Sequence, residues 1–192
     1  MKQHLDSTCA LVVVDVQNDF CPGGALPVRD GDQVVAPLNR YAAIFAHAGA
    51  AVIATRDWHP PDHCSFRPQG GPWPVHCVRG TPGAAFHPQL KLPPGAIIIS
   101  KAENPAVESY SFFGDSGLEH PLAGRGIRKL FIGGLATDYC VKWTALDALR
   151  RGFVTCLLTD AIRGVEVHPG DSAAAVEEMK AAGVILLRLE DF

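Results

Sequence analysis

A cysteine after a glycine turn, an aspartate and a lysine each ending an apolar run, and an Asp-x-His pair are the residues equipped for chemistry. In Gly133-Gly134-Leu135-Ala136-Thr137-Asp138-Tyr139-Cys140 the run Leu130-Phe131-Ile132 enters a glycine turn, and Asp138 reads as the cap of a helix starting near Cys140. A thiol there meets unpaired backbone N–H groups and the positive end of a helix dipole, both of which favour thiolate. That suits a nucleophile. The plain alternative is a small buried hydrophobe, the commonest use of a free cysteine.

Asp15 follows Leu11-Val12-Val13-Val14, and a carboxylate at the end of an apolar strand is costly to bury without a partner. It either caps a turn through Gln17 or Asn18, or has its pKa raised by desolvation until it serves as a general base. Lys101, after Ile97-Ile98-Ile99-Ser100, has the same two readings: a solvated strand end, or a cation that neutralises Asp15 and acidifies Cys140. Together the three make a Cys–Asp–Lys triad.

Asp57-Trp58-His59 and Trp73-Pro74-Val75-His76-Cys77 suggest a metal site. In an extended Asp-x-His both side chains point the same way, as a chelate needs, and two histidines plus one aspartate leave positions open for water or substrate. His63 is a further ligand or the holder of a bound water, and histidines in proline-rich loops also serve simply as hydrogen-bonding groups. Cys64 and Cys77 adjoin His63 and His76, but neighbouring side chains on extended chain face opposite ways, which makes a Cys/His zinc site awkward. Phe20, Trp73 and Tyr110 are candidate walls for a flat ring ligand, or ordinary packing.

The elements that must position these groups are legible from periodicity. Runs of Val, Ile and Leu at Ala10–Val14, Ala51–Ala54, Ala96–Ile99, Leu130–Ile132, Val154–Leu158 and Val184–Leu187 predict strands buried on both faces. Helical spacing links Val34, Leu38, Tyr41, Phe45 and Ala48, with Pro37 early in the helix or kinking it. A second stripe, Val141, Ala145, Leu146 and Leu149, stops before Gly152; a third starts at Asp171-Ser172, turns Val176 and Met179 inward and stops at Gly183. Strand–helix alternation predicts an α/β fold with a parallel sheet between helical layers. Ligands of such sheets sit beyond the strands' C-terminal ends, where Asp15, Asp57, Lys101 and the Cys140 turn all fall. The long irregular segment 57–95, rich in proline and histidine, points to function at the same edge.

The 192 residues, 47% hydrophobic and 19% charged, suit one domain over residues 1–192. A net charge of -3 with both signs scattered gives no basic stripe for nucleic acid or anionic membrane. No apolar run is long enough to span a bilayer and no signal peptide is evident, so a cytoplasmic protein is expected, its six cysteines free thiols.

The chain resembles the nicotinamidase/pyrazinamidase branch of the isochorismatase-like cysteine hydrolases. The resemblance runs from Ala10 to about Val165, through Val14-Asp15-Val16-Gln17-Asn18-Asp19-Phe20-Cys21-Pro22-Gly23-Gly24-Ala25-Leu26, Thr55-Arg56-Asp57-Trp58-His59-Pro60 and Trp73-Pro74-Val75-His76-Cys77. It continues through Lys101, Ser109-Tyr110-Ser111-Phe112 and Gly134-Leu135-Ala136-Thr137-Asp138-Tyr139-Cys140-Val141. It implies a three-layer α/β/α fold with a six-stranded parallel sheet, Asp15 as base, Lys101 as orienting cation and Cys140 as nucleophile. It implies a divalent metal ion (zinc, iron or manganese) on Asp57, His59 and His76, and a ring substrate against Phe20, Trp73 and Tyr110. It further implies a cis peptide at Leu135–Ala136 that aims the backbone N–H groups of Ala136 and Cys140 at an oxyanion. The expected reaction is hydrolysis of nicotinamide, and of pyrazinamide, to the acid and ammonia through a thioester, serving NAD salvage. The expected partner is thus a small-molecule amide, while a homo-oligomer stays open. Tyr139 stands where family members vary, His being another choice, so the pocket rim is open too.

Two rivals remain at this stage. Metal-free relatives hydrolyse N-carbamoyl or ureido amides with the same Asp/Lys/Cys set, and the Asp57/His59 pair with Trp73-Pro74-Val75-His76 argues against them. A non-catalytic metal-binding module is the other, opposed by the filling of every expected catalytic position.

Overall fold

The computed structural model describes residues 2–114, 122 and 124–192. Six strands, β1 (Cys9–Val14), β2 (Ala51–Asp57), β3 (Ile97–Lys101), β4 (Lys129–Leu135), β5 (Val154–Arg163) and β6 (Ile185–Leu187), form one sheet in the order β3-β2-β1-β4-β5-β6. Every neighbouring pair is parallel. These are the six apolar runs. The ladder carries β2 on to Asp57 and β5 on to Arg163, because polar residues can continue a strand where one face stays covered.

Helices α1 (Val35–His47), α2 (Lys142–Arg150) and α3 (Asp171–Ala181) cover the sheet. Along β1 the side chains alternate between two cores. Leu11 and Val13 join Leu38, Tyr41, Phe45 and Phe131 on the α1 side. Ala10, Val12 and Val14 join Ile132, Val141, Ala145 and Met179 on the α2–α3 side. Burying side chains such as Leu38, Phe45 and Phe131 contributes about 1.5–3 kcal/mol each. Pro37 falls in the first turn of α1, where proline is tolerated, rather than kinking the helix further along. Among the described residues no helix is long and apolar enough to cross a membrane.

The strand order places the site. From β1 the chain proceeds outward to β2 and β3, then returns to β4 on the other flank of β1 and proceeds to β5 and β6. Connections therefore diverge at the carboxyl ends of β1 and β4, leaving a crevice between them. Gly134 lets these two strands close up: it pairs with Val14, sits at φ +128°, and a Cβ there would lie 2.1 Å from the Val14 carbonyl oxygen. Asp15 and the turn leading to Cys140 emerge side by side from that contact. Residues after β2 fold over the same edge, tied down by isolated bridges between His59 and Val78 and between Gln17 and Phe86.

Candidate active site

Lys101 is the hub of the crevice. Its ammonium lies 3.0 Å from Asp15 Oδ2, 2.5 Å from Asp57 Oδ1 and 3.4 Å from Cys140 Sγ, and donates to the Ser109 carbonyl at 3.2 Å. Acid atoms of Asp15, Asp57 and Cys140 all lie within 4.8 Å of one another around it. All four side chains are buried. Burial works against the Lys101 charge, but Asp15 and Asp57 outweigh it and hold the ammonium well above the usual lysine range. One cation faces two carboxylates, so the third acidic group stays protonated at rest.

That group is Cys140. Burial pushes its thiol well above the usual range; Lys101 pulls it back, but Asp15 and Asp57 push further up. The pull of the helix dipole toward thiolate is thus opposed: in a closed pocket with two carboxylates, desolvation and like charge raise the thiol against the lysine. A thiol held protonated can act as a nucleophile only with a base beside it. Asp15 is the carboxylate whose surroundings suit that task. It sits at φ +48°, a left-handed conformation Asp tolerates better than most residues, with its N–H directed to the Thr55 carbonyl (3.2 Å). Thr55 Oγ1 donates to Asp15 Oδ1 at 2.7 Å, and Oδ2 faces the Lys101 ammonium at 3.0 Å. Burial raises the Asp15 carboxyl to about 6 against the pull of Lys101.

The nucleophile turn differs from the expected capped helix. Thr137–Val141 forms one π-helical turn that runs straight into α2, and Asp138 makes no capping bond. Its carboxylate instead accepts the N–H groups of Val165 (2.9 Å) and Glu166 (2.8 Å), fastening the turn to the segment after β5. The Leu135–Ala136 peptide is cis. The Ala136 carbonyl accepts from Tyr139 and Val141, both at 3.1 Å, while its own N–H has no acceptor among the described residues.

Asp57, His59 and His76 bring one ligand atom each within 4.8 Å of one another. The donor set fits a divalent metal in its tautomers as well. His59 Nδ1 contacts the His76 carbonyl (3.1 Å) and His76 Nδ1 the Pro74 carbonyl (2.8 Å). A carbonyl only accepts, so both Nδ1 atoms carry a proton, and in the neutral tautomer this leaves the lone pair on Nε2. Burial drives His59 down to about 4, keeping it neutral. Asp57 stays ionised: burial opposes this, but the Lys101 ammonium holds its carboxyl below the usual range. His63 groups with His59 and Glu108, but both its nitrogens are engaged, Nε2 with the Val107 carbonyl (3.1 Å) and Nδ1 with Ser65 Oγ (2.7 Å). Neither Cys64 nor Cys77 enters a donor group among the described residues.

Phe20, Trp73 and Tyr110 do come together, around a narrow pocket of about 30 Å³ whose other walls include Tyr139, Ala136, Asp57, His76 and Cys140. Its aromatic walls suit the faces of a flat ring. Trp73 Nε1 donates to Tyr110 Oη (2.9 Å), and Tyr139 packs edge-on against Trp73 at 4.9 Å. Two residues with work here escaped the sequence reading: Thr55, which orients Asp15, and Gln17. The Gln17 amide donates to the Asp57 carbonyl (2.8 Å) and accepts the Asp57 N–H (2.8 Å), pinning the first metal-side carboxylate. Both lie inside motifs already singled out, and a buried polar side chain beside a charged one was the available signal.

Comparison with known proteins agrees with this fold. The family model described as the isochorismatase domain matches residues 9–191. The nicotinamidase of Escherichia coli is 45% identical over 204 residues, covering 95% of this chain and 96% of that protein. The pyrazinamidase of Pyrococcus horikoshii, solved in complex with zinc, is 50% identical with a TM-score of 0.90, covering 95% of this chain and 99% of that one. PnC1 of L. infantum, solved in complex with nicotinate, is 38% identical with a TM-score of 0.89, covering 100% and 98%. The chain belongs to the isochorismatase family, in its nicotinamidase/pyrazinamidase branch.

Proposed function

We propose that this chain is an amidohydrolase that converts nicotinamide to nicotinate and ammonia, and accepts pyrazinamide in the same way. Nicotinamidases at 39–45% identity support the activity, as does a relative solved with nicotinate. The observation that carries the reading is the small aromatic pocket opening onto Cys140, with the Asp57/His76 corner opposite. Release of nicotinate serves NAD salvage.

The ring lies between Phe20, Trp73, Tyr110 and Tyr139 with its carboxamide over Cys140. Asp15 takes the thiol proton as sulfur attacks the amide carbon, so charge moves from carboxylate to oxyanion without an exposed thiolate intervening. The backbone N–H groups of Ala136 and Cys140 receive the oxyanion. Asp15 then hands its proton to the departing nitrogen, ammonia leaves, and a thioester remains. In the second half Asp15 takes a proton from water, the hydroxide adds to the thioester carbon, and collapse returns the proton to sulfur and frees nicotinate. Lys101 stays charged throughout and keeps Asp15 and Asp57 oriented. A divalent metal held by Asp57, His59 and His76 would supply Lewis acidity for the pyridine nitrogen and bound water.

The direct test is ammonia release from nicotinamide, pyrazinamide and N-carbamoyl amides, side by side, on protein of known metal content. Turnover of nicotinamide and pyrazinamide well above the carbamoyl amides is expected. The reverse preference would assign the chain to the metal-free amidohydrolases of the family.

A further inference from the structure

We propose that Asp19 acts through the His76–Cys77 peptide group as the outer carboxylate that orients and strengthens the metal ligand His59. Asp19 belongs to the strap Gln17-Asn18-Asp19 that follows Asp15, and the reaction above gives it no part. Its Oδ2 accepts the Cys77 N–H at 2.7 Å and its Oδ1 accepts the Ala25 N–H at 3.1 Å. The carboxylate is half-buried, and Gly83 lies so close that a Cβ there would fall 2.2 Å from Oδ2.

The other end of that same peptide group is the His76 carbonyl, which accepts His59 Nδ1–H at 3.1 Å. Carboxylate, peptide and imidazole thus form one line of hydrogen bonds. Peptide resonance couples its two ends: a carboxylate on the N–H raises the negative charge on the carbonyl oxygen, which then holds the imidazole proton more firmly. Metal-binding histidines commonly lean on a carboxylate through their second nitrogen, which fixes the tautomer and makes the ligating nitrogen more basic. Here a peptide group stands between the two. The same bond supports Cys77 at φ +46°, an uncommon conformation for a residue with a side chain. It also fixes the backbone on which His59 N–H finds the Cys77 carbonyl at 3.1 Å. Asp19 is therefore a positioning residue. It touches neither metal nor substrate.

This inference rests on the metal reading given under Proposed function, and the test separates the two. Zinc and cobalt(II) affinities are measured by chelator competition for wild type, Asp19→Asn and Asn18→Ala, with the His59 ring tautomer read by nitrogen NMR on the metal-free proteins. Asp19→Asn keeps the shape and removes the charge; affinity is expected to fall about 10–100-fold, as for other outer-shell partners. Its His59 should shift toward the Nε2–H form. Asn18→Ala removes a bond to the Pro82 carbonyl (2.8 Å) from the same strap and should leave both readings unchanged. Wild-type affinity in Asp19→Asn, or an equal loss in Asn18→Ala, overturns the proposal and leaves the metal site standing. A wild-type protein that takes up neither ion overturns the metal reading and this inference with it. Should Asp19→Asn not fold, the wild-type tautomer decides: Nδ1–H supports the relay and Nε2–H sinks it.

Discussion

Two corners of one crevice are built by different means. Asp15, Lys101 and the Cys140 turn stand at or just beyond the ends of β1, β3 and β4, so the sheet's own ladder fixes their spacing. His59 and His76 hang from chain that belongs to no extended strand, and their places are set by single hydrogen bonds to Cys77, Pro74 and the strap after β1. The first corner is positioned by cooperative structure and tuned by charge. The second is positioned piecewise, so it should lose function by small local changes that leave the fold intact. Asp57 belongs to both corners.

The comparison can be broken most severely at the nucleophile. Cys140→Ala should lower nicotinamide turnover by at least ~10⁴-fold while ligand binding persists, because the oxyanion donors and aromatic walls remain. Ammonia release at a comparable rate would remove the covalent mechanism. Next, stripping divalent metal with a chelator should cost about 10²-fold or more in turnover, with zinc restoring it and far-UV circular dichroism unchanged. A change in circular dichroism would mean that the loop corner supports the fold after all.

Lys101→Met tests the sheet corner. It leaves Asp15 and Asp57 facing each other, buried and without their shared cation, and should cost about 3–5 kcal/mol in chemical denaturation. A milder probe is pH. Asp15 must be unprotonated to accept the thiol proton, and its carboxyl is raised to about 6, so kcat/KM should fall as pH drops through about 6, roughly tenfold per unit below it. Asp15→Asn should remove that limb together with the activity; a limb near 4 would mean that burial does not set the base. The smallest effect belongs to His63→Ala. Both nitrogens of His63 are engaged away from the Asp57/His59/His76 group, so zinc affinity should change by less than about tenfold, the lower bound for outer-shell partners.

The sheet corner was the more legible in sequence, for a physical reason. Consecutive Val, Ile and Leu mark a strand buried on both faces, and a charged residue ending such a run must lie at the sheet's edge. The six strands follow from that alone, and so does the place of Asp15 and Lys101 at the sheet's edge, whereas the roles assigned to them come from the family resemblance. Asp138 shows where the pattern stops helping. It precedes a helix and has the right chemistry for a cap, yet its carboxylate serves Val165 and Glu166, partners 27 and 28 residues away. The π turn at Thr137–Val141 was invisible likewise, because no periodicity distinguishes five such residues from the start of an α-helix. For Cys140, local position speaks for the dipole, whereas burial and the neighbouring carboxylates, which push its thiol up, come from other strands and are not visible in its own motif. Thr55 reaches Asp15 and Gln17 reaches Asp57 across 40 residues of chain, which spacing does not reveal.

The sharing of Asp57 has a consequence for metal exchange. The side chain that would ligate the ion also forms the shortest contact of the Lys101 ammonium, so an ion that draws more electron density from Asp57 loosens its hold on that ammonium. The ammonium would then lean further toward Asp15 and weaken the base. Swapping one divalent ion for another is thus expected to displace the acid limb of the rate profile, in a group the ion never meets.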